Sequence, residues 1–506
     1  MVSKRRILYG CLFLLILVIV AIPFIQKDAP PIIKATSEVS EVEDTRSLSE
    51  KMAAILQDEA LDGASIGISV LNANNGAEVY AYQGDLRLHP ASNMKILTAA
   101  ASLETLGPDY QFTTEFATDG KIAGKVLQGN LYIRGKGDPT LLKADLDQVA
   151  GELKQQGVER INGNLIGDDQ WYDSIRLSQD LNWSDESFYT GAQVSALTLS
   201  PNADYDAGTV VVEVTPGTTL GVQAQVTLTP NTDYITIINK TEMVSADEAK
   251  DLSIEREHGT NNIIIEGEIP LNGTGAKEWI AVWEPTEYVL DIFKQSMEEQ
   301  GITFTGNWEM QTGVTPKDAT ILTSVKSIPL NELLLPFMKL SNNGIGETLT
   351  KEMGKVVHGE GSWDKGLKVI VDTAAALGVN PDTVSFRDGS GMSHKTLIPA
   401  SELSKLLYQV QQKEWFADFE LSLPVAGMEE RLVGGTLRHR LTEGPAKGNV
   451  IAKTGSLTGV SSLSGYVTTL DGEKLTFSIM ANNFLSDSVT SIEDAIATML
   501  ATHEFK

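Results

Sequence analysis

Ser92 lies three residues ahead of Lys95 in Ser92-Asn93-Met94-Lys95, between His89-Pro90-Ala91 and an apolar run from Ile96 to Leu106. On a helix, side chains three positions apart share a face, so a serine in the first turn and this lysine point the same way. The helix N-terminus favours negative charge developing beside it. A lysine made less basic by burial or by neighbouring cations can take the hydroxyl proton, which turns the serine into a nucleophile. Ser362-Trp363-Asp364-Lys365 has the same spacing, so the pattern alone identifies nothing. A second element, Ser341-Asn342-Asn343, follows the largely apolar stretch Leu333 to Leu340. Its hydroxyl can relay protons and its amide can hold a substrate backbone. Ser200-Pro201-Asn202 also fits that pattern, in a setting that reads as a turn. The third element, Lys453-Thr454-Gly455-Ser456, closes a predicted strand. Lys, Thr and Ser side chains there suit a terminal carboxylate, while the strand backbone pairs with an extended substrate. Gly455 would let that substrate approach the backbone.

Three stretches so far apart need a scaffold that brings them together. Ser47-x-x-Glu50 reads as a capping box, followed by Leu48, Met52, Ile55 and Leu56 on one helical face. Ile66, Ile68 and Val70 alternate with small residues, Asn75-Gly76 supplies a hairpin turn, and Val79 to Tyr82 resumes a strand. The end of the chain mirrors this. Asn449 to Thr454, Leu463 to Thr469 and Lys474 to Met480 read as strands, the last two joined at Asp471-Gly472. A closing helix carries Ile492, Ile496 and Met499 or Leu500 on one face. One antiparallel sheet built from both termini is therefore expected. Between them, about Phe112 to Gly313, the chain is strand-rich with Gly and Asn turns, including a strand through Val210, Val212 and Val214. It reads as inserted material forming two small β-rich modules.

Order separates the motifs from their decoys. Serine-x-x-lysine, serine-x-asparagine and lysine-threonine-glycine occur in this succession in acyl-serine, penicillin-recognising enzymes. No serine-x-asparagine stands between Ser362 and Lys453, which removes that decoy. The chain resembles the D-alanyl-D-alanine carboxypeptidases and endopeptidases known as class C low-molecular-mass penicillin-binding proteins. The resemblance covers most of the exported part. It includes Gly129-Asn130-Leu131-Tyr132-Ile133 through Gly137-Asp138-Pro139-Thr140-Leu141, Ile161-Asn162-Gly163-Asn164 to Gly167-Asp168-Asp169, Gly191-Ala192 with Ser195-Ala196-Leu197, and Asp388-Gly389-Ser390-Gly391. The long insertion between the first two motifs is present too.

This resemblance implies an α+β transpeptidase domain of the penicillin-binding and serine β-lactamase type, an antiparallel sheet flanked by helices, with two inserted β-rich domains. Along the chain it gives a signal peptide or anchor (1–26), a linker (27–45), a catalytic domain in two parts (46–117 and 315–506), one inserted domain (118–140 and 206–314) and a second (141–205). It implies that Ser92 attacks the penultimate D-Ala carbonyl with Lys95 as general base. Ser341 and Lys453 would share the proton network, and Asn343 would bind the substrate amide. Thr454 and Ser456 would hold the terminal carboxylate, and the Ser92 and Ser456 N–H groups would form an oxyanion hole. β-Lactams would acylate the same serine. Such enzymes recognise the stem-peptide side chain with an acidic and a basic residue. Asp185 falls at the acidic position, and His394 stands where an arginine is usual. Leu457 and Thr458 would line the same pocket.

Bulk properties agree. At 506 residues the chain has room for roughly three domains. A net charge of −27 argues against nucleic acid as a partner. Lys4, Arg5 and Arg6 precede an uncharged apolar run from Ile7 to Ile25, which fits a signal peptide or a membrane anchor, the latter favoured by its length. Either exports the bulk of the chain, to the outer face of the cytoplasmic membrane, the cell wall or the periplasm. Cys11 is the only cysteine, and it sits at the start of that run rather than at its end, where lipidation would need it. Asp138-Pro139 and Asp168-Asp169 read as turns rather than metal ligands, and the six histidines form no zinc pair, so no metal or cofactor is expected. Two rivals remain: a β-lactamase or esterase on the same catalytic domain, and a non-catalytic wall-binding scaffold. The insertion weighs against the first and the three intact motifs against the second.

Overall fold

Local signals at the start of the chain become structure as read. In the computed structural model, which describes residues 46–505, Ser47 and Glu50 form the reciprocal capping box of helix Leu48–Ile55. The Ile7–Ile25 run and Cys11 lie outside the described residues. Among the described residues no helix is long and apolar enough to cross a membrane.

A five-stranded sheet runs in the order Glu78–Tyr82, Ser65–Asn72, Lys474–Asn482, Val460–Thr468, Ile451–Leu457. Every neighbouring pair is antiparallel, and Ile68 opposite Ile479 marks where the first part of the chain meets the last. Strand alternation sorts the side chains. Leu475, Phe477 and Ile479 pack with Leu48, Met52, Ile496 and Leu500 of the two terminal helices. Met480 faces the other way, into the helical layer with Ile96, Leu103, Phe337, Leu349 and Leu407. At about 1.5–3 kcal/mol per fully buried aliphatic side chain, these two cores hold the sheet between its helices.

The inserted strands form their own sheets. Leu131–Gly135 lies between Thr113–Thr118 and Leu165–Asp168 in a second five-stranded sheet, completed by Met310–Thr312 and Thr320–Lys326. Strand pairing groups Thr113–Thr118 with the inserted strands, as the expected start of the strand-rich stretch near Phe112 has it though the 46–117 bound does not, and adds Thr320–Lys326 to them. We place the joints at Phe112 and Ser327, whose backbones bond at 3.1 Å. The expected strand through Val212 spans Thr209–Thr215. Two helices, Lys143–Gln155 and Pro285–Glu299, join the strands, and one apolar cluster runs from Phe116 and Leu146 to Val210, Ile263 and Phe293. That continuous core links the two expected modules.

Both decoys have ordinary roles. The Ser362 side chain caps helix Trp363–Ala376 by accepting from Lys365 N, and Lys365 pairs with Asp364. Ser200 Oγ donates to the Pro139 carbonyl, and Asn202 Oδ1 accepts from Asp204 N within a turn.

Candidate active site

Ser92 sits in a single 3-10 turn, Ala91–Asn93, that feeds helix Met94–Leu106. Ala91 enters the turn with φ +45°, backbone that a non-glycine residue adopts only when its surroundings impose it. Two serines of the adjoining strand Val460–Thr468 impose it. Ser462 Oγ donates to the Pro90 carbonyl at 2.6 Å, and Asn93 Nδ2 donates to Ser464 Oγ at 2.9 Å.

Lys95 Nζ is fully buried and has three partners: Ser92 Oγ at 2.9 Å, Asn343 Oδ1 at 2.7 Å and the Ser390 carbonyl at 2.8 Å. Burial lowers its pKa to about 7, against the opposing pull of Glu347 and Asp388. The partner set then decides the proton chemistry. Asn343 Oδ1 and Ser390 O can only accept, so they use both hydrogens of a neutral amine. The lone pair is left for Ser92, the one partner that carries a proton to give.

Glu347 keeps that carbonyl in place. It lies one helical turn after Asn343, on helix Asn343–His358, and accepts from Gly389 N at 3.0 Å, Ser390 N at 2.9 Å and Trp363 Nε1 at 2.6 Å. Asp388 accepts from Ser393 N and Thr396 Oγ1, both at 2.8 Å, and its pKa is raised to about 6 by burial and by the Glu347 charge. Gly391, at φ +88°, leaves no room for a Cβ, which would fall 1.9 Å from the Ala91 carbonyl.

Lys453 Nζ, also fully buried, bonds Ser341 Oγ at 2.9 Å and the Thr454 carbonyl at 2.8 Å. Burial and then the Lys95 charge push its pKa well down. Ser341 has φ +61°, a left-handed serine between helix Leu330–Lys339 and the helix that starts at Asn343. Lys453-Thr454-Gly455-Ser456 lies inside strand Ile451–Leu457, not at its end as expected. Lys453 is opposite Ser464 and Ser456 opposite Ser461. The strand closes the sheet, and beyond the Ile451–Val425 bridge no strand pairs with its outer edge among the described residues. Thr454 Oγ1 bonds Thr436 Oγ1 at 2.7 Å, and Ser456 is exposed. Gly455 has a reason beside the expected one. A Cβ there would lie 2.7 Å from Pro90 O and 2.9 Å from Ser92 N, so its absence lets the turn of Ser92 press against the strand.

The model of the D-Ala-D-Ala carboxypeptidase 3 (S13) family matches residues 48–503. The chain belongs to this family. It is a serine DD-peptidase by that membership, and its α+β fold is that of the penicillin-binding proteins. It is 39% identical over 459 residues to the D-alanyl-D-alanine carboxypeptidase of Actinomadura sp. (strain R39), covering 90% of this chain and 85% of that one. The crystal structure of penicillin binding protein 4 (dacB) from Haemophilus influenzae superposes with a TM-score of 0.78 at 24% identity, covering 89% of this chain and 99% of that one. The same protein complexed with a β-lactam gives a TM-score of 0.71 at 25% identity, covering 89% and 98%.

The four residues expected to recognise the stem-peptide side chain are less tightly gathered. Asp185 ends the short turn Trp183–Asp185 and has no hydrogen-bond partner for its carboxylate among the described residues. His394 is exposed and meets His89 edge-on, ring centroids 5.5 Å apart. No hydrogen bond or ion pair joins Asp185 to His394. Leu457 is half-buried and Thr458 exposed, just past the third motif. A narrow pocket beside Asn343 is walled by Leu181, Tyr189 and Thr190 of the insertion and by Ser390 and Met392. Asp180 braces its rim, bonding Lys395 Nζ at 2.7 Å, Arg387 Nε at 2.9 Å and Ser393 Oγ at 3.0 Å, and these partners hold its carboxyl well below the usual range. Sequence reading missed Glu347, Ser390, Thr436 and the pocket walls. Asp388-Gly389-Ser390-Gly391 was the one visible signal, and it came without a role.

Proposed function

We propose that this peptidase cleaves D-Ala-D-Ala bonds of peptidoglycan stem peptides through an acyl-enzyme on Ser92. The observation that carries the reading is the Lys95 partner set: two obligate acceptors and one hydroxyl around a fully buried amine with a pKa of about 7. Ser92 Oγ attacks the penultimate D-Ala carbonyl while Lys95 takes its proton. The amide C–N bond breaks, and the departing amine is protonated through Ser341 and Lys453. The Ser92 and Ser456 N–H groups stabilise the oxyanion, Asn343 binds the substrate amide, and Thr454 with Ser456 holds the terminal carboxylate. Gly455 keeps the strand flat against the nucleophile's turn. Water then releases the acyl group. β-Lactams, one of which occupies a related crystal structure, acylate Ser92 and leave slowly.

The enzyme works outside the cytoplasm, tethered or released according to the fate of the 7–25 segment. Asp185 and His394, with Leu457 and Thr458, recognise the stem-peptide side chain. A histidine in place of the usual arginine lacks the planar two-pronged donor fork, which makes that recognition weaker for a side-chain carboxylate.

Labelled penicillin should attach to the wild-type chain and not to Ser92→Ala; full labelling of that variant sinks the assignment. Digestion of purified muropeptides with mass readout separates loss of a terminal D-Ala from cleavage of cross-links. Asp185→Ala should weaken peptidoglycan-like substrates selectively. Equal loss on a minimal D-Ala-D-Ala peptide argues against a side-chain role.

A further inference from the structure

The insertion touches the second motif at two points. Asn343 Nδ2 donates to the Thr190 carbonyl at 3.1 Å. Its neighbour Asn342 is buried, and its amide points into the 204–206 turn. There Nδ2 lies 3.1 Å from Asp204 O, 3.0 Å from Tyr205 O and 2.9 Å from Asp206 Oδ1. The other end of the same side chain caps the helix that begins at Asn343, Oδ1 accepting from Ile345 N at 2.9 Å. Asn342 is thus a strut from the inserted turn to the helix of Asn343, next to the left-handed Ser341. Tyr205, at φ +59°, is left-handed as well, so both sides of the contact hold backbone that its surroundings must maintain. Two N–H groups face three acceptors, and the only one able to carry charge is Asp206, which makes its bond the strongest of the three.

We propose that Asp206 is a positioning residue for the peptidase, acting through Asn342 to hold Ser341 and Asn343 in working geometry. The insertion is then a structural member of the catalytic centre rather than an appendage. This rests on Ser92, Ser341 and Asn343 being the machinery. The surroundings of Asp206 suit such a role. Asp204 is drawn off by Arg431, with a bond at 2.9 Å, and Tyr189 lies near. Burial and the Asp204 charge raise the Asp206 pKa to about 7 while Arg431 opposes them, so the bond strengthens as the carboxyl ionises.

The test measures penicillin acylation rate, kcat and KM for D-Ala release, and thermal unfolding of the full chain. Asp206→Ala should lower the acylation rate about tenfold to a hundredfold, through kcat rather than KM, as a misplaced catalytic group does. Asp206→Asn keeps an acceptor oxygen at the same place and should recover most of that loss. Asn342→Asp keeps the capping oxygen but loses both N–H groups and sets a carboxylate against Asp206, and it should lose at least as much as Asp206→Ala. Wild-type rates in Asn342→Asp, or equal losses in the Ala and Asn variants of Asp206, overturn the proposal. Should Asp206→Ala fail to fold, Asn342→Asp still decides. A wild-type chain that never acylates sinks the Ser92 assignment beneath it; a variant that acylates like the wild type sinks only the role of Asp206.

Discussion

Two buried cations, one in each half of the molecule, meet opposite fates. Arg256, in the insertion, spends all five N–H groups. Nε bonds the Ala281 carbonyl at 2.8 Å, Nη1 bonds Glu257 O and Thr260 O, and Nη2 bonds Glu186 through both its carbonyl and its carboxylate. Trp283 covers its face, 5.4 Å away. Lys95 is more deeply buried, yet among the described residues no carboxylate bonds it. Glu347 and Asp388 are near enough to act on its charge but are spent on backbone N–H groups, a Trp363 indole and a Thr396 hydroxyl. A buried cation with a full set of partners, one of them charged, is a fastener. One supplied with acceptors but denied its counter-ion is poised to give up its proton.

Replacing the two tests that contrast. Lys95→Met should lower acylation by about 10²–10⁴-fold, the usual worth of a general base. In the wild type the rate should rise as pH passes about 7, because only the neutral amine accepts the Ser92 proton. A flat profile would place the base elsewhere. Stability should follow the same titration. The folded-state pKa lies below the unfolded value, so the cost of burying the charge is full below about pH 7 and falls as pH rises towards 10.5. The melting temperature of the wild type relative to Lys95→Met should therefore climb with pH.

Arg256→Met should do the reverse. Urea unfolding should show a loss of about 3–5 kcal/mol, since buried Glu186 keeps only its His258 contact and the Ala281, Glu257, Thr260 and Glu186 carbonyls lose their donor, while the folded fraction still acylates. Normal stability in this variant would break the comparison. The smallest effect belongs to the decoy. Ser362→Ala should cost about 1 kcal/mol, as lost N-caps do, and leave acylation unchanged.

Much of the scaffold was legible because it rests on local periodicity. The capping box at Ser47, the alternation at Ile66, Ile68 and Val70, and the face through Ile492 and Ile496 each carry their own signal. The far joint of the insertion was not. Thr320–Lys326 looks like any strand, and only its pairing with Thr113–Thr118 shows which sheet it serves. Glu347 was unreadable for a similar reason, since nothing in its neighbourhood along the chain announces the Gly389 and Ser390 amides it will bind.

By itself the sequence determined which serine, which lysines and which asparagine to consider, because the order of three short patterns is a property of the chain. It could not determine what those residues do with their protons. That depends on which atoms surround Lys95 Nζ once Asn343 and Ser390 arrive from distant segments, and on the water that folding removes. The tertiary structure also added a reason for Gly455, room for the turn of Ser92 itself. Chemistry at a buried group is set by its neighbours in space, and they are decided only when the sheet closes.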